Sequence, residues 1–167
     1  MEPQVAPLHA ILELNTDLLL NCLDGLSDEE AHRRLAGGGN TVAFLAAHLT
    51  DTRHFLAQRL GRPLANPLSR YLAEASSLDD IVEWPSLAEQ RDWWRAVSRH
   101  LGTVVAVRNA EELRRPNVHR FPLEDSTELG LIAFLVQHDS YHIGQIRFLR
   151  RQLGKPAMAY TRAARAG

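Results

Sequence analysis

The chain has 167 residues, of which 45% are hydrophobic and 23% are charged, a size and composition typical of one soluble globular domain. We therefore expect a single domain over residues 1–167. The formal net charge of -1 creates no field that would attract nucleic acid or a membrane surface, so we expect neither as a partner. No apolar run reaches the roughly 20 residues that span a bilayer. The N-terminus lacks the basic region of a signal peptide, and Cys22 is the single cysteine, which together predict a cytoplasmic protein.

The first forty residues predict one long helix and one short helix. Apolar side chains recur at helical spacing over about residues 8–23. Ser27 and Glu30 form a capping-box pattern, which predicts a short helix that continues through Leu35. Residues 37–39 are all glycine, and we expect them to interrupt the helical structure.

A second long helix and a crossover are predicted next. Asn40 is a good N-cap for a helix that runs to about Leu60 and stops at Gly61. Residues 62–85 contain three prolines and no long period, which predicts a crossover with a helical turn near Tyr71.

The rest of the chain predicts two long helices separated by an irregular segment. A capping box over residues 86–89 opens the third long helix, and residues 109–124 follow as an irregular segment. The fourth long helix starts near Asp125 or Ser126 and stops at Gly154. No segment shows strand alternation. The pattern therefore predicts an all-α protein, a four-helix bundle with a long crossover between its second and third helices.

Two histidines one helical turn apart carry the strongest chemical signal. His138 and His142 are about 40° apart in helical projection, so their imidazoles can meet at one metal ion. The segment HDSYH is close to the zincin motif HExxH, with Asp139 in place of the glutamate. Residues 143–167 contain no His, Asp, Glu or Cys. A third protein ligand must therefore lie upstream, which argues against a metalloprotease.

Several upstream histidines are candidates for the third ligand. His48 borders the apolar stripe of the second helix, and His100 lies between apolar positions of the third, so either can point inward. His54 lies nine residues after Leu45, about half a turn away in projection, and we expect it to face solvent. The other three lie at a frayed end, on a polar short helix and in a loop: His9, His32 and His119.

Two sequence stretches resemble a known family. NTVAFLAAH at residues 40–48, followed far downstream by HDSYHIGQ at residues 138–145, resembles the DinB/YfiT-like superfamily. The resemblance covers about residues 8–154. It implies a four-helix bundle whose metal is bound by one histidine on the second helix and an HxxxH pair on the fourth. Carried onto this chain, it implies His48, His138 and His142 as the metal ligands.

The implied ligand set suggests a reaction class. Three neutral imidazoles leave one position open on a tetrahedral Zn²⁺, as in catalytic sites, where a bound water has a pKa near about 7. We expect Zn or Ni, although imidazole also suits iron and copper. The resemblance implies either thiol-dependent S-transferases and isomerases that use low-molecular-weight thiols, or metal-dependent hydrolases. Thiol transfer is favoured because the spacing provides no convincing general base. The alternatives are a non-catalytic metal-binding or stress-response protein and a homodimer whose metal only joins helices; we expect a homodimer in any case.

Four residues near the histidines have open roles. Asp139 is either a general base, by analogy with the zincins, or a solvated or outer-sphere carboxylate. Asp51 either orients a ligand imidazole or substrate, or lies exposed. Gln145 either approaches the metal or supports the site by packing and outer hydrogen bonding. Gly144 in mid-helix predicts the close approach of a neighbouring helix.

Overall fold

The computed structural model describes residues 1–35, 38–72, 81, 83–119 and 121–162. Within these ranges the chain is helical and contains no strand, apart from an isolated bridge between Pro116 and Thr127. The helices are α1 (Ala6–Leu23), α2 (Asp28–His32), α3 (Val42–Arg59), α4 (Ser69–Leu72), α5 (Leu87–Ala106), α6 (Ala110–Leu113) and α7 (Glu128–Gln152). None of these helices is both long enough and apolar enough to cross a lipid bilayer.

The four long helices α1, α3, α5 and α7 confirm the predicted all-α bundle. Two of them begin one or two residues later than the sequence suggests. Thr41, and not Asn40, is the N-cap of α3, and its hydroxyl accepts a backbone N–H of the first turn. Thr127 has the same role at α7, in place of Asp125 or Ser126. A threonine hydroxyl satisfies one of the unpaired N–H groups at a helix start as well as an Asn or Ser side chain does.

The short elements differ more from the prediction. α2 ends at His32 and not at Leu35, because Arg33 adopts an extended backbone conformation. α4 contains Tyr71, as expected for the crossover. α6 lies inside the segment predicted to be irregular, since four helical residues are too few to show a period. Parts of the predicted glycine interruption and of the crossover lie outside the described residues: 37, 73–80 and 82.

The packing of the long helices explains the length of the crossover. α1 and α3 each pack against both α5 and α7, so α1 and α3 occupy opposite corners of the bundle. The first halves of α3 and α5 share one apolar cluster, and their second halves share another, so these neighbours run parallel. Parallel neighbours cannot be joined by a tight turn. The chain between them must return along the length of the bundle.

A layer of buried polar residues separates the two apolar clusters. On α3, Leu49 belongs to one cluster and Leu56 to the other, and Arg53 lies between them in sequence. Each of the other three long helices also contributes a buried polar residue between its apolar positions: Asn15, Ser98 and Asp139. Buried polar groups are costly unless they are hydrogen-bonded, so this layer depends on its internal contacts.

Arg53 is the centre of this layer and is only 2% exposed. Its Nε donates to Oδ2 of Asp139 on α7 at 2.9 Å, and its Nη2 lies 2.8 Å from the same oxygen in an ion pair. Nη1 donates to Thr16 of α1 at 2.8 Å and to Ser98 of α5 at 2.6 Å, and Nη2 also donates to the carbonyl of Leu12 at 3.1 Å. Four of the five guanidinium N–H groups therefore donate hydrogen bonds, and Nη2 also lies beside the Asp139 carboxylate. They are satisfied only when the four long helices are assembled.

Replacing Arg53 should destabilise the bundle strongly. We expect Arg53→Met to lower the free energy of unfolding by about 3–5 kcal/mol, because it leaves the Asp139 carboxylate buried and unpaired. The double variant Arg53→Met/Asp139→Leu should recover part of the loss, since neither side chain then carries a charge. Urea denaturation followed by circular dichroism measures both effects.

The exposed ion pair between Arg95 and Asp92 on α5 provides the control. Its side chains are 47% and 76% exposed, and the two groups are 2.9 Å apart. Arg95→Met should change the free energy of unfolding by less than about 1 kcal/mol. If Arg53→Met costs no more than Arg95→Met, the central role of the buried pair is wrong.

Candidate metal centre

Three histidines from two helices meet at one side of the bundle. The Nε2 atoms of His48 on α3 and His142 on α7 are each 3.1 Å from Nε2 of His138. One ring nitrogen from each residue lies within 4.8 Å of the other two, and all three side chains are half-buried. The i, i+4 spacing on α7 pairs two of the rings, and the packing of α3 against α7 supplies the third. The residues predicted as ligands are therefore brought together.

The orientation of the His142 ring is held by a neighbouring amide. Nδ1 of His142 lies 2.7 Å from Oε1 of Gln145, and Nε2 of Gln145 donates to the Tyr141 hydroxyl at 3.2 Å. An amide oxygen can only accept, so Nδ1 of His142 carries the proton in this arrangement. Its Nε2 then presents a lone pair to the other histidines. The expectation of an outer hydrogen bond from Gln145 is confirmed.

Burial keeps two of the rings neutral. Burial, and after it the imidazoles of His142 and His48, lowers the pKa of His138 to about 4. Burial and then His142 also lower the pKa of His48, against the opposing effect of the Asp51 carboxylate. Both rings are therefore neutral at pH 7, which is the form of histidine that coordinates metals.

The arrangement of the three nitrogens is better explained by metal coordination than by hydrogen bonds among the rings. Nε2 of His142 is unprotonated when Nδ1 carries the proton, and Nε2 of His138 carries at most one proton, so the two 3.1 Å contacts cannot both be full hydrogen bonds. A tetrahedral Zn²⁺ with Zn–N bonds of about 2.0–2.1 Å places its ligand nitrogens about 3.3 Å apart. Two of the three nitrogen–nitrogen distances, both 3.1 Å, are close to this value, and the third is within 4.8 Å. An all-imidazole set suits several transition metals: zinc, nickel, copper and iron.

The other upstream candidates lie elsewhere. The prediction that His54 faces solvent is wrong, because His54 is only 4% exposed and its Nδ1 lies 3.3 Å from the carbonyl of Leu64. The crossover covers this side chain, which the periodicity of α3 cannot reveal. His100 is half-buried, and its Nε2 lies 2.8 Å from the carbonyl of Arg62. Its ring is engaged outside the histidine triad.

The two nearby carboxylates are engaged with other groups. The expectation of a solvated Asp139 is wrong, since this residue is 1% exposed and Oδ2 is bound to Arg53; its Oδ1 is buried without a hydrogen-bond partner. Asp51 is half-buried, and its Oδ1 accepts from Nδ2 of Asn66 at 2.6 Å. The hydrogen bond of Asp51 therefore goes to the crossover and not to a ligand imidazole.

Gly144 borders open space instead of a neighbouring helix, so the prediction of close helix packing is wrong. A Cβ atom added at Gly144 would meet nothing within 4 Å. The residue lies in the wall of a cavity of about 520 Å³ between residues 38–40 and the second half of α7. Gln145 also lines this cavity, and the same side chain hydrogen-bonds to His142. The cavity is thus adjacent to the histidine triad.

Comparison with known proteins identifies the family. A family model described as the DinB superfamily matches residues 11–146. The chain belongs to the DinB superfamily. The matched span contains the three histidines and both partners of the buried ion pair, and it confirms the resemblance drawn from residues 40–48 and 138–145. A comparison with curated proteins finds no match.

Cys22 of this DinB-superfamily chain is unsuited to act as a nucleophile. Its side chain is fully buried, and burial raises the pKa of the thiol from 9.0 to about 12, against the opposing charges of Arg150 and Arg147. At pH 8 only about one thiol in ten thousand is then ionised, and the thiolate is the reactive form. Any thiol chemistry in this chain would need a thiol from outside.

The native Cys22 thiol should therefore resist alkylation. We expect iodoacetamide at pH 8 to modify the folded DinB chain roughly a hundredfold or more slowly than the urea-unfolded chain. Mass spectrometry of timed samples measures both rates. Native labelling within about tenfold of the unfolded rate would contradict the burial of this thiol.

Gln145 should influence metal affinity through His142. Gln145→Leu removes the acceptor for Nδ1–H and should weaken metal binding by about 10–100-fold, the usual effect of losing an outer partner of a ligand. Gln145→Glu keeps an acceptor and should bind metal at least as tightly as the wild type. Competition with a chromophoric zinc chelator measures the affinities. Equal affinities for Gln145→Leu and the wild type would rule out this support.

Proposed function

We propose that the protein is a metal-dependent enzyme that uses His48, His138 and His142 to hold a divalent ion, with Zn or Ni expected. The proposal rests on one observation above all: three imidazole nitrogens converge at a half-buried site beside a cavity. Such an ion would act as a Lewis acid that stabilises an anionic nucleophile at an open coordination position. The molecule that reacts with this nucleophile would bind in the cavity.

The surroundings of the triad favour a thiol over water as the nucleophile. Activation of water is commonly assisted by a general base within hydrogen-bonding reach of it. Asp139 is bound to Arg53 inside the bundle, and Asp51 is bound to Asn66. A low-molecular-weight thiol has an unperturbed pKa near about 8.5 and can be bound directly as the thiolate. We therefore infer a thiol S-transferase in preference to a hydrolase.

The same structure argues against a metal that only joins helices. Arg53 already connects the four long helices through donors to Leu12, Thr16, Ser98 and Asp139, and the two apolar clusters extend on either side of it. The triad lies between α3 and α7 alone. The bundle therefore has a source of stability that is independent of the metal. The ion is not needed to hold the helices together and is available for catalysis.

Other expectations stay predictions: a single domain over residues 1–167, a cytoplasmic location, a homodimer, and the absence of nucleic-acid and membrane partners. A non-catalytic metal-binding or stress-response protein is the competing function. The enzyme and the non-catalytic protein differ in whether a small molecule can enter the coordination sphere of the ion.

His48→Ala should abolish tight metal binding while the bundle remains folded. The expected loss exceeds the roughly 10–100-fold effect of an outer partner, because a ligand itself is removed. His100→Ala is the matched control, since His100 is a histidine outside the triad, and it should bind one metal equivalent like the wild type. Metal content by mass spectrometry and thermal unfolding measure stoichiometry and stability. Undiminished metal binding by His48→Ala would contradict the site.

Thiol binding then tests the reaction class. The cobalt-loaded wild type should develop a near-ultraviolet thiolate-to-cobalt absorption band when 2-mercaptoethanol is added, and His48→Ala should not. Absence of the band in cobalt-loaded wild type would overturn the preference for thiol transfer. A coordination sphere that accepts no added ligand at all would favour the non-catalytic alternative.

A further inference from the structure

The cavity beside α7 has a composition that suits a particular kind of ligand. The described side chains that line it include none with a charge; the polar ones are Asn40, Tyr141 and Gln145. Its volume of about 520 Å³ lies within the roughly 300–1,000 Å³ typical of small-molecule sites. An uncharged lining favours an uncharged group, because a charge taken out of water needs a partner.

Two exposed aromatic rings flank the glycine in this wall. Tyr141 and Phe148 are seven residues apart on α7 and therefore lie on the same face, about 20° apart in projection. They are 57% and 63% exposed, so both rings are accessible to a ligand. Gly144 lies between them and leaves the space of a side chain empty. The result is a notch on the helix surface with an aromatic ring at each end.

The notch is connected to His142, a member of the histidine triad on the same helix. The Tyr141 ring lies 5.0 Å from the His142 ring, centroid to centroid, and its hydroxyl accepts from Gln145. Gln145 in turn holds Nδ1 of His142 at 2.7 Å. A molecule lying in the notch would therefore have one end within reach of the metal centre.

We propose that this notch binds an uncharged aromatic group of the substrate, with Gly144 setting the space available and Tyr141 and Phe148 stacking against the ring. Offset or edge contacts with two aromatic side chains add to the gain from burying apolar area. The proposal deepens the proposed function, on which it rests, by assigning the substrate class: a compound that carries an uncharged aromatic ring.

The neutral fluorophore N-phenyl-1-naphthylamine tests the notch without any turnover. Its fluorescence rises in apolar surroundings, so titration of the metal-free protein gives a dissociation constant. Gly144→Leu fills the notch and should raise this constant by about tenfold or more, and Phe148→Ala should raise it several-fold by removing one ring. Phe148 is exposed, so Phe148→Ala remains informative if Gly144→Leu fails to fold.

Two variants serve as controls. Gly144→Ala adds only a methyl group where nothing lies within 4 Å, and it should bind the probe nearly as the wild type does. Gln137→Leu adds the same side chain as Gly144→Leu at an exposed position of α7 outside the cavity, and it should leave binding unchanged. Metal affinity should be the same in all of these variants.

The possible results separate this inference from the proposed function. Wild-type protein that does not bind the probe, Gly144→Leu that binds it undiminished, or Gln137→Leu that weakens it equally would each overturn the notch, even if the metal binds. The notch is supported if Gly144→Leu weakens probe binding and the control variants Gly144→Ala and Gln137→Leu do not. If that result came from a protein that binds no metal, the enzyme proposal would fail and the aromatic site would stand.

Discussion

The bundle depends on one buried charge. Arg53 places a guanidinium between two apolar clusters, where an unpaired charge would cost several kcal/mol, and satisfies it with groups from α1, α5 and α7. Trp94 of α5 covers the guanidinium face, with the ring centroid 3.7 Å from the central carbon. Sliding any one helix along its axis would remove a partner from this arginine. The ion pair and hydrogen bonds of Arg53 therefore favour the observed register of the four helices.

That register also assembles the histidine triad. On α3, His48 precedes Arg53 by five residues, and on α7, His138 immediately precedes Asp139. Adjacent helical residues point about 100° apart, so when Asp139 points into the bundle toward Arg53, His138 points into the groove between α3 and α7. His48 then meets His138 from the facing helix, with 3.1 Å between their Nε2 atoms. A polar contact in the core thus positions a site at the surface, without touching the ligands themselves.

The sequence predicted those features that depend on neighbours along the chain. Helical periodicity located the four long helices, and the i, i+4 spacing predicted that His138 and His142 would share a metal. Helical spacing could not decide whether His48 or His100 is the third ligand, because that choice depends on which helices pack together. The family resemblance indicated His48. His54 was expected in solvent, and the role of Asp139 was left open, because the groups that contact them, Leu64 and Arg53, lie 10 and 86 residues away. The prediction of close helix packing at Gly144 was wrong for a similar reason. A glycine in mid-helix has the same sequence pattern whether a helix or open space lies opposite it.

Residues 138–148 of α7 combine three roles within about three turns. His138 and His142 belong to the histidine triad, Asp139 pairs with Arg53, and Tyr141, Gly144 and Phe148 line the cavity. Gln145 belongs to two of these groups, because its amide binds His142 on one side and lines the cavity on the other. A molecule in the notch that displaced this amide would remove the hydrogen bond that orients the His142 imidazole. One side chain therefore both contacts the substrate and orients His142. In the proposed enzyme, occupancy of the notch would therefore affect the orientation of His142 through Gln145.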